Sequence, residues 1–303
     1  MKALEKRKIE RINADVTFIG FGALEIGRDW GIGTDIERPD TQGAGEVLNT
    51  VLDVGINLID TASAYHKSEG RIGHYISARR NEYLLGTKCG EYSDEPHTHY
   101  DFTYDAIARS IDKSLAMLKT DVIDFMQIHF GPNPEEVLDK GETVAAMKDA
   151  VAAGKVRYLG ASIDGELVAR CIQSGDFDVI QMAYNLLNQS NESNIRLAAE
   201  KGVGVFIRTG LGKGLLTPRV TGVMDTLDKR QGSMIKGLLE LVNNDFDMLV
   251  SLALNFLYSN KGISSVLLGT KKAGNVKANL ELLEKDVGAH MLRKAQEIVM
   301  GGK

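Results

Sequence analysis

The feature that most constrains this 303-residue chain is an alternation: a short, β-rich apolar run, then a polar stretch with helical periodicity, eight runs in all. The strand candidates are residues 17–20, 56–59, 82–86, 122–128, 156–160, 179–182, 203–207 and 265–268. Between them the spacing predicts helices over 43–53, 69–79, 104–118, 134–153, 166–174, 191–201 and 245–258. The fourth has Pro134 in its first turn and stops before Gly154, the expected start and stop asymmetry. Strands that read as continuous apolar runs are buried on both faces, and helices between them imply parallel pairing through βαβ crossovers. Eight such units favour a closed (β/α)8 TIM barrel; an open doubly wound α/β sheet shares the periodicity and is the alternative.

Two segments exceed eight repeats. Residues 8–13 and 14–18 flank an Asn-Ala turn and predict an N-terminal β-hairpin that plugs the amino-terminal mouth of the barrel. Residues 217–244 form a long connection carrying an accessory helix over 231–242, and long loops on the carboxyl-terminal face usually serve function. A last helix spans 289–299. With five prolines and no low-complexity tract, residues 1–303 read as a single domain.

Composition removes several function classes. A net charge of −5 without a basic block gives no footprint for nucleic acid, whose phosphates demand cationic surface. The longest apolar runs, such as 249–254 and 266–268, fall far short of the roughly 20 residues that cross a bilayer, so no membrane partner is expected. The charged amino terminus, MKALEKRKIERINADV, lacks a secretory signal's apolar stretch, and the expectation is a cytoplasmic protein. Cys89 and Cys171 form no CxxC pair and read as reduced thiols, not a disulfide or zinc site.

In a barrel, reactive groups stand where strands end, so the polar residues closing each apolar run are the candidates. Asp60 ends the second run (NLID), Lys88 follows the third (LLGTK), His129 ends the fourth (FMQIH), and Tyr65 follows Asp60 in its loop. A free phenol titrates near 10, so a nearby ammonium must stabilise its phenolate for fast proton exchange at neutral pH. Lys88 would supply that field, Asp60 would hold the lysine charged, and His129 would orient a carbonyl oxygen through a neutral-ring hydrogen bond. Singly, each has a bland reading as a buried ion pair, a rim tyrosine or a core histidine. Four at adjoining strand ends make a site for a polarised carbonyl.

GINLIDTASAYHKSEGRIG (55–73), LLGTK (84–88), DVIDFMQIH (121–129), GKVRYLGAS (154–162), IQMAYNLLNQ (180–189) and VLLGTKKAGNVKANL (266–280) together resemble the aldo-keto reductases over nearly the whole chain. The resemblance implies a metal-free, NAD(P)H-dependent oxidoreductase reducing aldehydes or ketones to alcohols. Tyr65 would be the general acid, Lys88 and Asp60 its tuning partners, and His129 the carbonyl-orienting group. It places Gly22, Ala23, Leu24 and Asp60 near the nicotinamide and its ribose, and Ser162 and Gln181 at the carboxamide. The family's usual Asn after that serine is Ile163 here. Arg208 stands where many members stack an aromatic ring on the nicotinamide, and a planar guanidinium can also lie flat on a ring. Leu211, Gly212 and Lys213 resemble the loop over the pyrophosphate, where glycine amides approach phosphate oxygens.

Gly269, Thr270, Lys271 and Lys272 open the helix that carries Asn275 and Asn279, the family's place for an adenosine 2′-phosphate, which favours NADPH and leaves NADH possible. Asn275 replaces a frequent arginine, and Ala278 a frequent glutamate. Trp30, on the first loop, is a candidate wall of the substrate pocket; Tyr184 and Asn185 are candidate supports of the nicotinamide site. The short carboxyl-terminal tail suggests an open pocket with broad specificity for small carbonyl substrates.

Other motifs carry less. GFGALEIG fails the dinucleotide fingerprint, with Glu25 at its sixth position, and no GxxxxGK[ST] occurs. His97 and His99, with Asp94 and Asp101, read as a solvated loop, and no metal site is expected. Two rival functions stay open: a barrel lyase in which Lys88 forms a Schiff base, and a cofactor-binding sensor or partner subunit with little turnover, as potassium-channel β-subunits of this family are.

Overall fold

In the computed structural model, which describes residues 1–34 and 36–301, the chain opens with β1 (Lys6–Ile9) and β2 (Ala14–Thr17), paired antiparallel with Ile9 opposite Ala14. The expected two-residue Asn-Ala turn is a four-residue connection, with Asn13 at φ 50°, a left-handed conformation that asparagine tolerates well. Barrel strands β3 (Ile19–Gly22), β4 (Leu58–Asp60) and β5 (Leu84–Cys89) follow. Next, β6 (Glu91–Asp94) and β7 (His97–Tyr100) form a second antiparallel hairpin, outside the barrel. The barrel resumes with β8 (Ile123–His129), β9 (Val156–Ser162), β10 (Val179–Ala183), β11 (Gly204–Arg208) and β12 (Ser265–Leu268).

The order β3-β4-β5-β8-β9-β10-β11-β12 closes on itself through Val266 beside Ile19, and every barrel pair is parallel. Each of the eight expected runs overlaps one barrel strand. The closed barrel, and not the open sheet, is therefore the fold. Its lower interior is filled by Leu58, Phe125, Val179, Phe206 and Leu267, capped from below by Ile9 and Val16 of the hairpin. Phe125 and Phe206 meet edge to face with centroids 5.3 Å apart. Burying each such side chain contributes about 1.5–3 kcal/mol, so the plug is a substantial part of the core. The outer faces of the strands bury Ile59, Leu85, Met126 and Ile180 beneath the helices.

Two expected helices are interrupted. The stretch 134–153 breaks at Gly141, whose φ of 68° ends Pro134–Lys140 before Glu142–Ala152 begins. The helix expected over 69–79 runs Ser68–Tyr75 and turns at buried Ile76 into a 3-10 segment, Ser77–Glu82. The long connection after β11 holds three short 3-10 turns and the accessory helix Lys229–Leu241. Among the described residues no helix is long and apolar enough to cross a membrane.

Candidate active site

Parallel register sets the chemistry in one layer at the carboxyl ends of the strands. Asp60 pairs with Gly86 across β4 and β5, and Lys88, two residues further on, pairs with Gln127 of β8. Side chains two apart share a face, so Lys88 extends over the space that Gly86 leaves open. A Cβ at position 86 would stand 3.3 Å from Asp60 Oδ1. Lys88 is 0% exposed; its Nζ donates to Asp60 Oδ2 at 2.5 Å, to the Thr61 carbonyl at 2.8 Å and to the Tyr65 hydroxyl at 3.5 Å.

Tyr65 is held by the loop after β4. Its N–H donates to the Ala62 carbonyl at 3.0 Å, and its own carbonyl accepts from Ser68 N–H at 3.0 Å. The turn lies flat on Gly27, where an added Cβ would come within 2.2 Å of the Tyr65 carbonyl oxygen. The first and second strand loops are thus locked together, and Tyr65 sits beside the lysine.

The other carboxylate oxygen of Asp60 accepts from Gln127 Nε2 at 2.7 Å and from Gln181 Nε2 at 3.0 Å. Gln127 and Gln181 are both buried, and Gln181 Nε2 also reaches Gln127 Oε1 at 3.2 Å. The Gln181 amide nitrogen expected to meet a carboxamide thus braces Asp60. Gln127 was not singled out in the sequence. Its signal, shared with Asp124, is a polar residue inside a largely apolar strand.

Burial works to strip the Lys88 ammonium of its proton, but Asp60 and then Tyr65 outweigh it and hold the group above its ordinary value. A lysine held charged is no Schiff-base nucleophile, which removes the support for a lyase. Burial also dominates at Tyr65: it pushes the hydroxyl above the ordinary phenol value, with Lys88 opposing and Asp60 assisting. The expected net lowering is therefore absent, because the phenol is more deeply enclosed than the motif implied. The Tyr65 hydroxyl is thus favoured in its neutral form, with the Lys88 ammonium opposing the shift.

His129 ends β8, in register with Ser162 of β9, and its ring meets Tyr65 edge to face with centroids 5.9 Å apart. Asp60, Tyr65, Lys88 and His129 are thus brought together. Beside them stands a residue absent from the sequence expectation: Glu91, the first residue of β6, whose Oε2 lies 2.8 Å from His129 Nδ1. Thr98 on the paired strand donates to Glu91 Oε1 at 2.7 Å. Burial pushes the Glu91 carboxyl up, yet His129, Thr98 and the Arg28 guanidinium outweigh it and hold it at about 2. The segment expected to be a solvated loop is therefore a hairpin that delivers this carboxylate. His97 and His99 stand on β7, and among the described residues no group of three or more His, Cys, Asp or Glu is placed to hold a metal.

The residues expected at the cofactor border the same end of the barrel. Gly22 ends β3, Ala23 N–H donates to the Asp60 carbonyl at 2.8 Å, and Leu24 accepts from Gly27 and Arg28 N–H. Arg208 ends β11 and pairs with Asp164, and Asn185 Nδ2 braces the next carbonyl, that of Thr209, at 2.9 Å. Leu211, Gly212 and Lys213 enter a tight turn in which Gly212 N–H donates to Thr209 and Gly214 N–H to Leu211. Both glycine amides donate within the turn.

Gly269 closes on Gly22: a Cβ there would stand 3.1 Å from the Gly22 carbonyl oxygen. Thr270 Oγ1 accepts from Lys272 N–H and from Asn275 Nδ2 at 3.2 and 3.1 Å, bracing the start of the helix Ala273–Glu284, which carries Asn279. Lys271 is buried and Lys272 exposed, so the two differ in what they can offer an anion. Trp30 is 40% exposed on the loop after β3. Tyr184 is buried and donates to Glu192, which leaves it a structural part.

Residues 18–299 match the model of the aldo/keto reductase family. The "Uncharacterized oxidoreductase YqkF" of Bacillus subtilis is 26% identical, over 97% of this chain and 98% of that protein. The "NADH-specific methylglyoxal reductase" of Escherichia coli is 28% identical, over 71% and 70%. Among solved structures, the holo form of aldo-keto reductase AKR11C1 from Bacillus halodurans superimposes with a TM-score of 0.79 at 25% identity, covering 97% of this chain and 96% of that one.

Proposed function

The chain belongs to the aldo/keto reductase family, and from that premise we propose that it reduces small aldehydes or ketones to alcohols with NADPH, Tyr65 acting as general acid. The observation that carries the reading is the Lys88 ammonium, enclosed between Asp60 Oδ2 at 2.5 Å and the Tyr65 hydroxyl at 3.5 Å. The name of the Escherichia coli relative supports a small carbonyl substrate.

A nicotinamide dinucleotide fits the residues present. The Gly22–Gly269 approach is bare backbone that a side chain would fill, and Ser162 stands beside His129 in register at the mouth. Gly22, Ala23, Leu24, Ser162, Gln181, Arg208, Leu211, Gly212 and Lys213 would border the nicotinamide and pyrophosphate. Gly269, Thr270, Lys271, Lys272, Asn275 and Asn279 would border the adenosine phosphate. Exposed Lys272 at a helix amino terminus favours the doubly charged 2′-phosphate, and therefore NADPH.

The reduced nicotinamide, when bound, supplies the hydride. The chain's own residues manage the charge that the hydride leaves on oxygen. Tyr65 donates its proton to the carbonyl oxygen, and the Lys88 ammonium stabilises the phenolate as it forms. Asp60 and the Thr61 carbonyl fix that ammonium, and enclosure strengthens each interaction by excluding water. His129 flanks the same hydroxyl. We place this activity in the cytoplasm, in a single domain over 1–303, with Trp30 at the pocket edge.

Steady-state assays of short aldehydes and ketones with NADPH and NADH in parallel test the reading. Turnover with NADPH at lower KM than NADH is expected. Cofactor binding without consumption across the panel would overturn it in favour of a sensor.

A further inference from the structure

Asp60, Gln127 and Gln181 stand on alternate barrel strands, β4, β8 and β10, each two residues beyond an inward apolar side chain, Leu58, Phe125 or Val179. Side chains two apart share a face, so the three form one polar layer on top of the apolar filling. Glycines on the strands to either side make room for Gln127. A Cβ at Gly160 would stand 2.8 Å from Gln127 Cγ, and one at Gly86 would stand 3.5 Å from its Nε2. Gln127 is 0% and Gln181 2% exposed, so their polar atoms need partners other than bulk water.

A carboxylate facing an ammonium only accepts hydrogen bonds. Both glutamines therefore turn Nε2, not Oε1, to Asp60 Oδ1, at 2.7 and 3.0 Å. Gln127 Oε1 then accepts from the same Gln181 nitrogen at 3.2 Å. With Nε2 shared between these two acceptors, the group that Gln181 has left is its Oε1. No described residue donates to that oxygen, and it is not one of the sealed side-chain atoms that lack a partner. The apolar layer closes the barrel beneath it, so it opens to the mouth, where register sets Gln181 beside Ser162.

We propose that Gln127 is a positioning residue: it locks the Gln181 amide with its oxygen toward the mouth, so that the site selects a cofactor ring bearing a primary amide. The inference rests on the reductase reading and deepens it, naming what chooses among nicotinamide analogues. Asp60 alone would hold Gln181 by one hydrogen bond, about which the amide can swivel. The second bond, to Gln127, fixes its plane. An acceptor held in place pays no ordering entropy when an N–H reaches it, and a ligand without that N–H leaves it enclosed and unpaired. Asp60 thereby serves two ends of the site, with Oδ2 on the Lys88 ammonium and Oδ1 on the amides.

NADP+ and its 3-acetylpyridine analogue differ by a methyl group in place of the amide nitrogen, and calorimetry gives their dissociation constants without turnover. The wild type should bind NADP+ at least about tenfold more tightly than the analogue. Gln127→Met, close in size but without polar ends, should reduce that preference to about threefold or less. Gln181→Leu should reduce it as far, and the double variant no further, because Gln127 acts through Gln181. Loss of affinity for both nucleotides by the same factor in Gln127→Met would mark a merely structural role and overturn the proposal, as would a wild type without the preference. If Gln127→Met fails to fold, the wild type still decides. Its Gln181 side-chain carbonyl 13C signal, assigned by its loss in Gln181→Leu, should move downfield with NADP+ and stay in place with the analogue; equal shifts overturn the proposal. Absence of turnover with every carbonyl tested would instead defeat the reductase reading, with the affinity ratio still deciding this one.

Discussion

Lys88 Nζ lies 2.5 Å from Asp60 Oδ2 with neither side chain more than 5% exposed, so the site is built around an ion pair sealed from solvent. Removing half of such a pair leaves a buried charge without compensation. Asp60→Asn should lower the unfolding free energy by about 3–5 kcal/mol in urea denaturation. Asp60→Asn combined with Lys88→Met should cost less than the two single changes added together, because the stranded ammonium is gone.

Gly27 sets the position of the Tyr65 loop. A methyl group there would meet the Tyr65 carbonyl oxygen at 2.2 Å and Ser68 N at 2.5 Å, so the backbone must shift. Gly27→Ala is expected to lose about 1–3 kcal/mol of stability and to lower kcat about 100-fold through misplacement of the hydroxyl. Gly232→Ala is the control: nothing lies within 4 Å of its added Cβ in the helix Lys229–Leu241, and it should stabilise by up to about 1 kcal/mol.

The Glu91 carboxyl is held from its ordinary 4.5 down to about 2. A group depressed in the folded state contributes stability that is present above the unfolded value and lost as pH falls through the folded one. Glu91→Gln should therefore cost roughly 2 kcal/mol at pH 6, a figure reduced from full linkage by water at the mouth. The deficit should shrink between about pH 4.5 and pH 2 when urea unfolding is followed across that window.

Lys272 is exposed at the start of the helix Ala273–Glu284. Lys272→Glu should raise the KM for NADPH about tenfold or more, while that for NADH changes about twofold at most. Equal effects on both cofactors would place the 2′-phosphate elsewhere.

The barrel was legible because its strands are buried on both faces and so read as apolar runs bounded by turns. Asp60 and His129 were legible because a charged or polar residue closing such a run has to sit at a strand end. Gln127 was not, since a polar side chain inside a run looks like noise until register places it beside Asp60. Glu91 was hidden for a different reason: residues 91–100 are polar, and a short two-stranded hairpin without an apolar face has no periodic signature. The net direction of the Tyr65 shift was misjudged because sequence names the charged neighbours but not the depth of burial. The break at Gly141 had a local signal, a glycine inside a helical pattern, that the Pro134 start and Gly154 stop overshadowed.

Tyr65→Phe tests the central claim most directly, since it deletes one oxygen and leaves the packing against His129 in place. Turnover with the best aldehyde and NADPH should fall by at least about 100-fold, with cofactor affinity, read from quenching of Trp30 fluorescence, essentially unchanged. Wild-type turnover in that variant would contradict the account.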